Sequence, residues 1–117
     1  FTIAGGRKAG AALLDMDETP TAVFACNDLL AIGVIQAAHD RGLSIPGDLS
    51  IVGFDNTILA EITAPPLTTV AQPIQMMGHQ VVDLIADEIS QKSKVKRRIV
   101  LLPELIVRGS TAPPATD

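Results

Sequence analysis

A chain of 117 residues that is 47% hydrophobic is long enough to build its own core and too apolar to be a disordered tail. Thirteen acidic residues against nine basic ones leave a net charge of −4, so the chain has no field with which to attract a phosphate backbone and does not grip nucleic acid by itself. The single cysteine, Cys26, excludes an intrachain disulfide and fits a reducing, cytoplasmic compartment, and no apolar run approaches the ~18 residues of a membrane span.

Residues 1–3 read as the end of a strand whose beginning lies upstream. Residues 6–15 (GRKAGAALLD) read as a short helix with Ala9, Ala12, Leu13 and Met16 turned inward. Residues 21–26 (TAVFAC) form a β-branched apolar run of the kind buried on both faces of a parallel sheet. Asn27 and Asp28 stand where helix N-caps stand, and residues 29–41 follow as a helix apolar nearly all round, closed by Gly42 at C′. A helix that apolar must be covered on two sides. Pro46 and Gly47 mark a loop into a second apolar strand, residues 49–54 (LSIVGF), which ends at Asp55.

Strand, helix and strand in this order predict an α/β fold with a doubly wound parallel sheet. Residues 56–69 contain Pro65 and Pro66, show no sustained period and read as a long surface connection. A further helix is predicted over residues 74–90, where Met77, Val81, Ile85 and Ile89 recur at every fourth position, with one face to bury. Residues 92–98 (KSKVKRR) are basic but lack aromatic neighbours, so they read as a solvated loop. Two short strands, residues 99–102 and 105–107, are separated by Pro103, and residues 110–117 read as a disordered Pro/Thr/Ala tail.

In an open parallel sheet, ligands bind beyond the carboxyl ends of the strands. Asn27 follows the first complete strand and Asp55 the second, so both side chains are expected at the same sheet edge. A carboxylate accepts from two adjacent hydroxyls, and an amide both donates and accepts, which suits a polyhydroxylated ligand such as a sugar. Asn27 as a mere helix cap and Asp55 as a mere turn residue are the alternatives, and capping and binding can coexist. Asp28 reads as a first-turn acid favoured by the helix dipole. His39 and His79 have no Cys or carboxylate at metal-ligand spacing and read as surface residues; no metal is expected. Cys26 reads as a small apolar strand residue, with no base nearby to make it a nucleophile. No glycine-rich phosphate loop and no catalytic constellation is present, so neither a nucleotide cofactor nor an enzyme is expected.

The blocks PTAVFACNDLLAIGV (residues 20–34), GLSIPGDLSIVGFDN (42–56), PPLTTVAQP (65–73), MGHQVVDLI (77–85) and LPELIVRGST (102–111) resemble the effector-binding domain of the lactose-repressor/galactose-repressor (LacI/GalR) family of transcriptional regulators. The first two blocks are also similar to periplasmic sugar-binding proteins, which share the fold; the third and the last are similar to the repressors alone. The resemblance implies the C-terminal part of a two-lobed, periplasmic-binding-protein-like (type I) domain, present as a fragment. Its Rossmann-like C-terminal lobe would comprise residues 1–70 and 103–111, residues 71–102 would belong to the other lobe, and residues 112–117 would be a disordered tail.

A helix-turn-helix head, through which alone the protein would meet operator DNA, would lie upstream. The resemblance further implies effector contacts from Asn27, Asp55 and Gln72, with Phe24 lining the pocket. It implies a homodimer paired through the helix at residues 29–40 and the segment after Asp55, which would explain why that helix is apolar all round. The stretches GFDNT and AQPI look nearest to ribose-operon repressors. The rival functions are a periplasmic-type sugar-binding protein for uptake and a catabolite-control regulator answering to a phosphoprotein; Asn27 favours a sugar over the latter.

Overall fold

The computed structural model describes residues 1–90 and 96–116. The described residues form two compact units. The first comprises Phe1–Ala71 and Leu105–Asp117, and the second comprises Gln72–Glu104.

The first unit opens with a helix and not a strand. Thr2 is the N-cap of α1 (Ile3–Leu14), its side chain accepting from the Gly5 N–H at 3.0 Å, so the chain is helical from Ile3 on. The inward face also differs from the predicted one: Gly6, Gly10 and Leu14 are buried, whereas Ala9, Ala12, Leu13 and Met16 are exposed. The reason is close helix packing. A Cβ on Gly6 would sit 2.2 Å from the carbonyl oxygen of Leu30, and one on Gly33 would sit 2.2 Å from that of Ile3. The two helices meet backbone to backbone, and hydrophobicity alone does not mark glycines as the contact face.

β1 (Ala22–Phe24), β2 (Ser50–Phe54), β3 (Thr68–Ala71) and β4 (Glu104–Ile106) lie in that order in one open sheet. β1 runs parallel to β2 and β2 to β3, with Phe24 opposite Val52 and Val52 opposite Thr68. The class is α/β, as predicted. β1 is an edge strand, with Ala22 and Phe24 exposed, and it is not buried on both faces; it stops before Cys26, which is exposed. α2 (Asp28–His39) is covered from within the chain, by α1 and by the sheet. Ala31, Val34, Ile35, Ala37 and Ala38 are buried together with Leu49, Ile51 and Leu67 in one core cluster. Its all-round apolarity thus has an intrachain cause and needs no dimer to explain it. Gly42, at φ +70°, closes this helix as expected.

Residues 56–69 are more ordered than their composition suggests. They hold a short helix, α3 (Ile58–Ile62), and lead into β3, whose Thr68 and Thr69 are buried. The prolines at 65 and 66 punctuate this stretch but leave room for an element on either side. Ser110, assigned to the tail, is fully buried. Its hydroxyl donates to the Ile51 carbonyl at 2.6 Å and accepts from the Thr68 N–H at 2.8 Å. The Ser50 hydroxyl then holds both the N–H and the carbonyl of Ala112, each at 3.0 Å. The start of the tail is therefore stitched across β2 and β3.

The second unit contains α4 (Ile74–Ile89), close to the predicted bounds. No residue of α4 is buried, so the Met77, Val81, Ile85 and Ile89 stripe is uncovered, contrary to expectation. Arg97 pairs with Asp87. Residues 92–95 of the basic segment lie outside the described residues, and residues 99–102 form no strand. No helix among the described residues is long and apolar enough to cross a membrane.

Candidate functional site

The parallel register carries β1 and β2 to the same edge, where each runs out into a polar loop. Ala25 extends the pairing by donating its N–H to Val52 at 2.8 Å, and Asp55 donates its own to Val70 at 2.9 Å. Asn27 follows as the N-cap of α2: its Oδ1 accepts from the Leu30 N–H at 2.9 Å. The cap occupies one lone pair of the amide and leaves its two N–H donors for other work, so capping does not exhaust the residue.

Asp28 is the residue that binds this edge together. It is fully buried, at the first turn of α2 where the helix dipole favours a negative charge. Oδ2 accepts from the Thr57 N–H at 2.6 Å and the Thr57 hydroxyl at 3.0 Å, and Oδ1 accepts from the Thr69 hydroxyl at 2.6 Å. Gly53 makes room for it, since a Cβ there would lie 2.5 Å from Oδ1. One carboxylate thereby ties α2, the loop after β2 and β3, which brings the segment bearing Asn27 against the segment bearing Asp55. As a first-turn acid Asp28 matches expectation; as the buried hub it was missed, because the threonines that satisfy it are 29 and 41 residues away.

Asp55 and Asn56 have φ of +100° and +53°. Two consecutive non-glycine residues in this region carry backbone strain of about 1–3 kcal/mol each, a cost met where the surroundings over-determine the turn. Here they do. The Asn56 N–H reaches the Thr69 hydroxyl at 3.3 Å, and the Asn56 Oδ1 accepts from Arg108 Nη2 at 2.8 Å. Asp55, like Gln72, takes part in polar interactions.

Phe24 closes β1 with 61% of its surface exposed. Gln72 follows β3 directly and belongs to the second unit. Asn27, Asp55 and Phe24 thus stand at the carboxyl ends of adjacent parallel strands. Among the described residues no group of His, Cys, Asp or Glu is arranged to hold a metal ion. Arg108 and Asn56 were not singled out from the sequence: a lone arginine in the ending VRGST carries no local signal of its partner, 52 residues distant.

A family model described as a periplasmic binding protein-like domain matches residues 2–111. Among curated proteins, the chain is 54% identical over 113 residues to the HTH-type transcriptional regulator DegA of Bacillus subtilis (strain 168), covering 97% of this chain and 33% of that one. Among solved structures, it is similar to a LacI family transcriptional regulator from Enterococcus faecium with bound ribose, at a TM-score of 0.88 and 40% identity, covering 98% of this chain and 42% of that one. It is also similar to the lac repressor dimer bound to operator and the anti-inducer ONPF, at a TM-score of 0.85 and 32% identity, covering 94% and 38%. The chain spans about a third of the length of the curated relatives it matches.

Proposed function

This chain belongs to the periplasmic binding protein-like domain family, as its LacI-family relatives do, and on that footing we propose that it is the sugar-sensing part of a bacterial transcriptional repressor of a carbohydrate operon. The observation that carries the proposal is the strained Asp55–Asn56 turn, held at the same strand edge as the Asn27 cap. A carboxylate presented there accepts from vicinal hydroxyls, and the Asn27 amide N–H groups donate to a hydroxyl or ring oxygen. The exposed ring of Phe24 offers an apolar surface on which a sugar can stack.

Residues 71–102, close to the bounds of the second unit, are the share of this chain that belongs to the other lobe, and the uncovered stripe of α4 is the face that lobe covers. The protein works as a cytoplasmic homodimer. α3 supplies an apolar contact for it, since Ile58 and Ile62, one helical turn apart, are 71% and 70% exposed. Operator DNA is bound by a helix-turn-helix head outside this chain, and effector binding shifts operator affinity by changing how the lobes close. Ribose is the first effector to try, on the GFDNT and AQPI stretches and the ribose-bound relative.

The test is calorimetric titration of the full-length dimer with ribose, other sugars and purine nucleosides. Saturable binding of one sugar, weakened about tenfold or more in Asp55→Asn without loss of fold, is the expected outcome. Affinity unchanged in Asp55→Asn sinks the site. Silence across the panel favours a regulator answering to a phosphoprotein instead.

A further inference from the structure

Arg108 is a cation in a place that does not suit one. Its side chain is only 16% exposed, and its ion pair with Glu61 is 3.5 Å long, with that carboxylate itself largely in solvent. An ion pair so long and so wet contributes little. The guanidinium is instead committed to neutral oxygens: Nη1 donates to the Leu67 carbonyl at 2.9 Å and Nη2 to Asn56 Oδ1 at 2.8 Å. Its own backbone N–H donates to the Thr68 hydroxyl at 2.9 Å, which anchors the arginine on β3 before its side chain reaches forward.

The far end of that reach is the strained turn. Asn56, at φ +53°, is held from one side by Thr69 through its N–H and from the other by Arg108 through its amide oxygen. Thr57 is fixed next to it by Asp28. Asp55, at φ +100°, is bounded on its amino side by its own bond to Val70. Arg108 grips the Asn56 side chain itself, and a planar fork holding two acceptors fixes direction as well as distance.

We infer that Arg108 is a positioning residue for effector binding: it clamps the Asn56 side chain and so sets the left-handed turn in the one geometry that presents the Asp55 carboxylate. Arg108 touches no effector. Its contribution passes through Asn56, and the inference rests on the proposed role of Asp55.

The experiment uses the full-length protein, with ribose, cellobiose, galactose and inosine as calorimetric probes. The variants are Asp55→Asn, Arg108→Lys, Arg108→Gln, Asn56→Gly and the double variant Arg108→Gln/Asn56→Gly. Glycine accepts the Asn56 backbone angle but removes the clamp's acceptor. Arg108→Gln and Asn56→Gly should each weaken the bound probe about tenfold or more, since each removes a charge-assisted hydrogen bond. Arg108→Lys should recover part of the loss, keeping the charge without the fork.

The double variant should bind no worse than the weaker single one, because both changes break the same link. A purely structural role for Arg108 produces that non-additivity in stability but not in the Kd of variants that remain folded. Losses that add in the double variant, or a Kd unchanged in Arg108→Gln while Asp55→Asn is impaired, overturn the inference alone. A Kd untouched by Asp55→Asn, or no binding of any probe by the wild type, overturns the reading of the site and the inference with it. Should Arg108→Gln fail to fold, Arg108→Lys and its combination with Asn56→Gly carry the same comparison.

Discussion

α2 and α4 set two kinds of helix side by side. α2 has the weaker division into apolar and polar faces, yet seven of its twelve residues are buried, Asp28 among them. α4 has the clean apolar stripe, yet none of its sixteen residues is buried. A stripe states that a face wants cover; it does not say what covers it. All-round apolarity demands partners on two sides, and for α2 the same chain supplies both, α1 against Gly33 and β2 with its flanking residues beneath. Amphipathic pattern and burial are therefore separate properties, and the second depends on which segments share the fold.

The largest test of that contrast is Asp28→Ala. It leaves three donors, two from Thr57 and one from Thr69, without their acceptor inside a fully covered site, and should cost about 4 kcal/mol of stability by urea denaturation. A loss below about 1 kcal/mol, the range of a simple first-turn acid at the helix dipole, would show that the buried hub is unimportant.

Next comes a matched pair of truncations. Ile51→Ala, fully buried in β2, should cost about 3 kcal/mol, whereas Ile85→Ala on the open stripe of α4 should change the stability of this chain by no more than about 0.5 kcal/mol. Equal losses would break the contrast. A loss at Ile85 that develops only in the full-length protein would sharpen it, by showing that the cover for α4 comes from elsewhere.

The smallest effect is electrostatic and lies at the rim. The Arg41 guanidinium, hydrogen-bonded to Asp15, holds that carboxyl below its ordinary value of 3.8, and the Ser44 hydroxyl and backbone N–H do the same for Asp48. A carboxylate whose pKa is lower in the folded state contributes stability above its unfolded pKa and loses it as pH falls through the folded one. Both contributions should fade below about pH 4, and both groups are solvent-exposed, so Asp15→Asn and Asp48→Asn should flatten the acid limb of the stability curve only slightly. An unchanged acid limb in the double variant would remove these pairs from consideration.

Several features were legible before the structure. β2 and α2 announce themselves by an apolar run and by the Asn27, Asp28 start and Gly42 stop; the parallel α/β class follows from their alternation; and Asn27 and Asp55 follow from the rule that strand ends carry ligands. Others were not. The start and the contact face of α1 hid, because that face is glycine, and α3 hid because five residues are too few to show a period. β3 hid because its buried positions are threonines, which hydropathy places in a loop. At the site, Asp28 looked like a cap, Arg108 carried no local sign of its partner, and Ser110 looked like the start of a tail.

Sequence by itself determined the class, the two central elements and the polar residues at the strand ends, because periodicity, caps and strand boundaries are set by neighbours within a few positions. The tertiary structure alone decided what holds those residues in place. The bonds of Asp28 to Thr57 and Thr69, of Arg108 to Asn56, and of Ser110 to Ile51 and Thr68 span 29 to 59 residues. No local pattern encodes them; they exist because a parallel sheet brings distant strand ends to one edge, where every buried polar group must find a partner.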